Sequence, residues 1–383
     1  MSPTSKNEYF LSVYKRYNES SRHEKRSILD EFCQNCHYNR KYAIRKLNKR
    51  LLRRPKKRGR PGPRSKYAHP DIQKPLREIW LQANMPCSKR LRAILPVWMP
   101  SYQLEFGALE PWVLKSLHQI SAATIDRTLK TFRFRYRGKG RCTTKPGLLL
   151  KSHIPIKTNQ WDETHPGFIE ADTVAHCGTS LAGEYALTLD TVDIATGWTE
   201  QRAVFGKGES QVLHELKDIE ASLPFPILGY DCDNGGEVLS RPIWRHFVDR
   251  AIPVEFTRSR PYHKDDNAHV EGKNWTHVRQ WLGYRRFDDP KIAELLNDLY
   301  KNEWRLLQNF FLPSVKLTDK KRIGSKIIKV HDNPKTPYQR VLESKFITSK
   351  VKEQLQEQFK TLNPFKLRRT INEKIAKIHR LAR

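Results

Sequence analysis

No apolar run reaches the roughly 18 residues that a membrane-spanning helix requires. The opening Met-Ser-Pro-Thr-Ser-Lys-Asn-Glu has no apolar stretch of the secretory kind, so a soluble, unexported protein is expected. Cysteine is sparse: six in 383 residues, at 33, 36, 87, 142, 177 and 232, without the spacing of a disulfide framework. Cys33-Gln-Asn-Cys36-His37 spells a haem-attachment motif, but it falls inside a helical pattern with no export signal, and chance is the simpler reading. No second ligand pair stands at zinc-site spacing, and no internal repeat is present. The shortage that says most is of acid. Only 41 Asp+Glu face 71 Lys+Arg, a formal net charge of +30, which argues against a small-molecule enzyme and for a polyanionic partner.

That shortage is uneven. Residues 1–150 hold 34 Lys+Arg against 10 Asp+Glu (net +24), residues 151–290 hold 15 against 22 (net −7), and residues 291–383 hold 22 against 9 (net +13). An acidic centre between basic arms suits a metal-binding core held on DNA by its neighbours. A ribosomal or chromatin protein that is merely basic seldom carries so long an acidic globular segment. The length allows two to four domains.

Residues 1–52 read as an N-terminal helix-turn-helix. Glu24–Cys33 places apolar residues at 28, 29, 32 and 33, and after a polar break Arg40–Leu52 turns Ala43, Ile44 and Leu47 inward and Arg40, Lys41 and Arg45 outward. A helical hairpin with a solvated basic face fits the same pattern. Residues 53–67 form a Pro/Gly linker too charged to bury a core; its Arg58-Gly-Arg60-Pro resembles the centre of an AT-hook, a basic strip for the minor groove. Residues 68–135 read as a second helix-turn-helix domain, with helices over Ile72–Ala83, Ser88–Ala93, Pro111–His118 and Ser121–Phe132. Ser121 is its expected N-cap, and Thr124, Asp126, Arg127 and Lys130 are its DNA-facing side chains. Residues 136–161 are a basic connector.

From 162 to 289 the pattern turns to strands and helices in the order βββαβαβα. The strands are expected near Gly167–His176, Glu184–Asp193, Trp198–Phe205, Ile227–Asp231 and Pro253–Arg258, and the helices near Glu209–Ser222, Leu239–Arg250 and Ala268–Leu282. Residues 290–383 read as a helix to about 311, a small basic β element, a loop at Pro334–Arg340 and a basic helical tail broken at Pro364. Three acids stand out in the central segment. Asp172 lies in the first strand, Asp233 follows the fourth, and Glu271 lies in the last helix. Carboxylates are the hard oxygen ligands that a pair of Mg²⁺ ions needs to clamp a phosphodiester. Asp231 competes with Asp233, since residues two apart share a strand face. Asp190 and Asp193 read as hairpin-end acids, Glu170 as a neighbour on the face of Asp172, and Glu237 as an acid at the next helix's N-terminus.

On these residues the segment resembles the integrase catalytic core of bacterial insertion-sequence DDE transposases, relatives of retroviral integrases. The resemblance rests on His165-Pro-Gly-Phe-Ile-Glu-Ala-Asp172, Asp233-Asn-Gly-Gly-Glu237, Arg258-Ser-Arg-Pro-Tyr262 and Asn267-x-x-x-Glu271-x-Lys-Asn274, with 37 residues between Asp233 and Glu271. It implies a ribonuclease-H-like α/β core with a mixed five-stranded sheet, preceded by helix-turn-helix domains and followed by a small basic β/helical region. It implies Asp172, Asp233 and Glu271 as catalytic residues and ligands of two Mg²⁺ ions, replaceable by Mn²⁺, with Asp172 bridging. It further implies cleavage at transposon ends and transfer of the 3′-hydroxyls into target DNA by a homo-multimer, in a bacterial cytoplasm and nucleoid. Lys273 and Arg279, close to Glu271 in the same helix, are then expected on the DNA strand. Two other readings remain: a structure-specific nuclease on the same fold, and a catalytically inactive, domesticated DNA-binding regulator.

Overall fold

The computed structural model describes residues 1–48, 65–136, 163–206, 208–232, 237–238, 240–258, 268–324 and 326–382. Most of the 53–67 linker, including Arg58 and Arg60, and nearly all of the 136–161 connector lie outside them. Two compact units divide the chain, Met1–Arg64 and Ser65–Arg383.

Among its described residues, the first unit is a three-helix cluster. Helices α2 (Arg22–Cys36) and α3 (Arg40–Leu47) were expected; α1 (Pro3–Glu19) was not. Its signals are present in the sequence. Ser2 caps the helix, Pro3 sits at its start, and Phe10, Val13 and Tyr17 recur at helical spacing to pack on Ile28, Leu29, Phe32, Cys36, Ala43 and Leu47. A Ser21–Glu24 capping box starts α2, His37 ends it in the left-handed conformation at φ 52°, and Asn39 caps α3. Ile44, expected inward, is exposed, because Ala43 and Leu47 already form the buried seam of this short helix. Cys36 is a core residue of the cluster.

The second unit opens with α4 (Pro70–Gln82), α5 (Ser88–Phe106), α6 (Pro111–Gln119) and α7 (Ala122–Tyr136). The sequence pattern stops α5 at Ala93, yet it continues through Pro96 and Pro100. Each internal proline costs about 3 kcal/mol of helix propensity. The buried stripe Leu91, Ile94, Leu95, Trp98, Met99 and Tyr102 offsets that cost by tertiary packing.

The central sheet contains β1 (Phe168–Ala175), β2 (Ala186–Asp193), β3 (Thr199–Phe205), β4 (Gly229–Cys232) and β5 (Glu255–Arg258), in the order β3-β2-β1-β4-β5. The β1–β2 and β2–β3 pairs are antiparallel; β1–β4 and β4–β5 are parallel. This is the expected mixed five-stranded sheet with helices. Gly167 sets the β1–β4 approach: its φ is +119°, and a Cβ there would lie 2.5 Å from the Pro226 carbonyl oxygen. Its own carbonyl accepts from the Leu228 amide at 2.8 Å. Helices α8 (Glu209–Ser222) and α9 (Arg241–Val248) cover one sheet face, where Arg202 bonds Asp218 at 2.5 Å and Tyr230 stacks on Phe247. The other face carries α10 (Ala268–Lys273), a π-helical stretch Asn274–Arg279, the short α11 (Gln280–Leu282), and α12 (Pro290–Leu299) with its π-helical extension.

The basic β element is a hairpin of β6 (Leu317–Ile323) and β7 (Lys326–His331). The expected loop at 334–340 holds a helix instead, α13 (Pro337–Glu343), begun by a Thr336–Gln339 capping box. Helices α14 (Ser349–Thr361) and α15 (Pro364–Leu381) break at Pro364 as expected. Helix α15 is packed rather than free, burying Phe365, Ile371 and Ile378. Trp98 of α5 donates to the Phe311 carbonyl at 3.1 Å and packs edge-on against Phe365, so α5, the α12 extension and α15 share one core. No described helix is long and apolar enough to cross a membrane.

His176, just past β1, is fully buried, bonded through Nε2 to Thr188 Oγ1 at 2.8 Å and stacked on Phe287. Burial, reinforced by the Arg279 guanidinium, pushes its imidazole down to about 3 from 6.5. The unfolded chain therefore takes up a proton near pH 6.5 that the folded chain refuses until about pH 3. This contribution is complete above the unfolded value and is lost as pH falls below it, by up to about 1.4 kcal/mol per pH unit. Denaturant unfolding between about pH 7.5 and 5 reads that slope. It should flatten in His176→Gln; an unchanged slope assigns the pH dependence to other groups.

Candidate active site

Strand register gathers acids onto one face of the sheet. Asp172 of β1 stands opposite Asp190 of β2, while Glu170 of β1 stands opposite Asp231 of β4, which in turn faces Thr257 of β5. Directly paired residues share a face, as do residues two apart on a strand. Glu170, Asp172, Asp190 and Asp231 therefore lie together beneath α10. Asp190, read from sequence as a hairpin-end acid, is mid-strand and completely buried. Asp193 does serve the hairpin, accepting from the amides of Gly167 at 2.8 Å and Thr196 at 2.7 Å and from Thr196 Oγ1 at 2.6 Å.

Three hydrogen bonds, from two acids of β1, fix α10 over this face. Glu170 Oε2 accepts the backbone amides of His269 at 3.0 Å and Val270 at 2.9 Å, the unsatisfied donors of the helix's first turn. Asn274 Nδ2 donates to Asp172 Oδ2 at 2.6 Å, where the helix widens into its π stretch. The backbone of Glu271 lies between these anchors; its side chain is not among those described, and neither is any part of Asp233. Asp172 Oδ1 also accepts the Thr173 amide at 2.7 Å. Asp231 accepts from Thr257 Oγ1 at 2.7 Å, which ties β4 to β5. Glu237, expected at a helix N-terminus, instead accepts from Thr173 Oγ1 at 3.2 Å, and α9 begins only at Arg241.

Beneath α10, burial pushes the Asp190 carboxyl up to about 7, with the charge of Asp172 adding to the shift and Gln201 and Lys273 opposing it. Burial pushes the Lys273 ammonium down to about 8, against the pull of Asp190. Lys273 thus interacts electrostatically with the sheet face rather than standing clear in solvent. Arg279 donates to the carbonyls of Ala175 at 2.7 Å and Gly283 at 3.4 Å and stacks on Tyr284, holding the helix to the end of β1. In the helical segments, Arg40 pairs with Asp30, while Lys41 and Arg45 are exposed. Ser121 caps α7 through the Thr124 amide at 3.1 Å, and Arg127 donates to Thr124 Oγ1 at 2.9 Å with Lys130 exposed beside it. Asp126 turns back to Ser88 at 2.8 Å and to Arg133, anchoring α7 to the start of α5.

Among the described residues, no three His, Cys, Asp or Glu side chains form a group able to hold a metal ion. The donor chemistry on this face nonetheless fits a hard cation: carboxylates, two carboxamides, and three buried oxygens without a hydrogen-bond partner, Asp190 Oδ2, Gln201 Oε1 and Asn274 Oδ1. Asn274 was within reach of sequence reading, as the last residue of the Asn267–Asn274 motif. The helix-capping role of Glu170 had no local signal. Glu170→Ala should destabilise the protein by about 1–3 kcal/mol, because two helix-start amides lose a charged acceptor. Hydrogen exchange at His269 and Val270 should accelerate more than exchange in β2 or β3; equal protection in both variants would refute the capping role.

No family model matches the chain. Among solved structures it is similar to the HTLV-2 integrase catalytic core domain in complex with magnesium, at 14% identity and a TM-score of 0.29, over 39% of this chain and 91% of that one. It is also similar to the catalytic core domain of BIV integrase, at 17% identity and a TM-score of 0.27, over 46% and 95%. The uncharacterized protein y4rM of Sinorhizobium fredii is 35% identical over 348 residues, spanning 89% of this chain and 96% of that protein. With that identity across nearly the whole of both chains, the chain belongs to the family of the uncharacterized protein y4rM.

Proposed function

We propose that this chain is a DNA transposase of the bacterial insertion-sequence type, a DDE polynucleotidyl transferase that cuts at element ends and joins the 3′-hydroxyls to target DNA. The observation that carries this reading is the Asn274–Asp172 bond. It brings the helix of the third expected acid onto the strand of the first, across 102 residues of sequence. Asp172, Asp233 and Glu271 are assigned as the carboxylates that hold two Mg²⁺ ions, or Mn²⁺ in their place. When bound, such a pair polarises the attacking water or 3′-hydroxyl and stabilises the leaving 3′-oxygen.

The chain's own residues do the positioning. Asn274 fixes the orientation of the Asp172 carboxylate, and Glu170 fixes the start of the helix that carries Glu271. The positive arms on either side of the acidic segment take up the phosphate backbone, with Lys41, Arg45, Arg127 and Lys130 among the exposed cations and Arg58 and Arg60 in the linker. Two element ends must meet for strand transfer, so the working form is a homo-multimer on DNA.

In a reaction with Mg²⁺ and DNA carrying the element's ends, Asp233→Ala should abolish both cleavage and strand transfer while gel-shift binding persists. Undiminished activity in that variant sinks the assignment. DNA binding by the full chain should weaken on the order of tenfold or more between about 50 and 200 mM salt, as released counterions dictate. A flat salt response would show that the basic arms serve another partner.

A further inference from the structure

Asp190 has no part in the three-carboxylate reading, yet its environment is hard to explain without a ligand. It lies mid-strand directly opposite Asp172 and is 0% exposed. Gln201, its partner on β3, donates to Oδ1 at 2.8 Å. Oδ2 is buried with no hydrogen-bond partner. Among the described residues no cation forms an ion pair with it; Lys273 acts on it only from a distance. Leaving a buried acceptor unsatisfied costs about 1–3 kcal/mol, and native structures contain few such atoms without a reason. A second orphan lies close by. Asn274 Oδ1 is buried without a partner, while the nitrogen of the same carboxamide is bonded to Asp172. Two acceptors that lack donors thus flank one carboxylate, one from the neighbouring strand and one from the helix above. A hydrated hard cation on Asp172 would supply the missing donors, because Mg²⁺ keeps several of its waters and those waters donate hydrogen bonds.

We propose that Asp190 is a positioning residue of the cation centre, its Oδ2 accepting a hydrogen bond from the hydration shell of a divalent cation held by Asp172. The inference rests on the two-metal reading above and adds to it a fourth carboxylate. Gln201 acts behind it, holding Oδ1 so that Oδ2 is the oxygen left for the shell. Outer partners of this kind typically account for about 10–100-fold in metal affinity.

The test is Mn²⁺ binding to the full-length chain, followed by the electron paramagnetic resonance signal of the free ion, with Mg²⁺ competition as a second readout. Asp190→Asn preserves the shape and the Gln201 bond. It should weaken Mn²⁺ binding by about tenfold or more, with cation-free thermal stability and gel-shift DNA binding unchanged. Asp172→Asn is the reference and should remove the site. If Asp190→Asn binds Mn²⁺ as the wild type does while Asp172→Asn does not, the role of Asp190 is overturned and the cation centre stands. If neither substitution alters binding, the cation centre itself is overturned, and Asp190 with it. A loss of cation-free stability with unchanged Mn²⁺ affinity overturns the proposal in favour of a purely structural acid.

Discussion

The carboxylate of Glu170 on the first amides of α10 is the constraint on which the site depends. A helix start presents unsatisfied donors and the positive end of the helix dipole, and a buried acid on the adjacent strand answers both. Because Glu170 and Asp172 are two residues apart on β1, fixing the helix at Glu170 also sets where Asn274 meets Asp172 one turn later. Glu271 lies between the two contacts. The widening into a π stretch at Asn274 belongs to the same geometry, since such bulges re-aim side chains without ending the helix.

This polar face is costly and is supported by the rest of the unit. The opposite sheet face is covered by α8 and α9 in the ordinary way, around Tyr230 and Phe247. Beyond β3, Glu200 is fully buried and bonded by Arg305, with Arg202 at its side, which ties the sheet to the α12 extension through a satisfied charge cluster. That extension is packed by Trp98 from the chain's earlier helices and Phe365 from its last one. The basic segments on either side of the acidic core thus contribute hydrophobic ridges as well as charge. The apolar stripes of α5 and α15 close over the core, and Arg368 of α15 itself stacks on Trp281.

Much of the fold was legible because it is written in local periodicity. All five core strands and the three helices that follow them fall where alternation and helical spacing place them. The departures have separate causes. Helix α13, with its Thr336–Gln339 capping box, and α1, with its Ser2 cap and Phe10–Tyr17 spacing, do carry local signals in the sequence. The passage of α5 through Pro96 and Pro100 opposes local propensity and could not be read locally, because only the burial of Trp98 and its neighbours offsets the two prolines. At the site, Asp172 and Asn274 stood inside recognisable motifs. Asp190 did not, since its importance comes from facing Asp172 across two strands.

The sequence by itself determined the basic-acidic-basic division of the chain, the order of its elements, and a short set of acids with the chemistry to hold a hard cation. Those are properties of composition and near-neighbour spacing. Tertiary structure decided which acids share a face, which oxygen atoms are left without donors, and which cations look outward. Lys273 and Arg279 show the difference: as sequence they are two more positive charges near Glu271, but as structure one is half-buried and acts on Asp190 from a distance, and the other holds the end of β1. Register and burial join residues a hundred positions apart, and local spacing carries no record of that pairing.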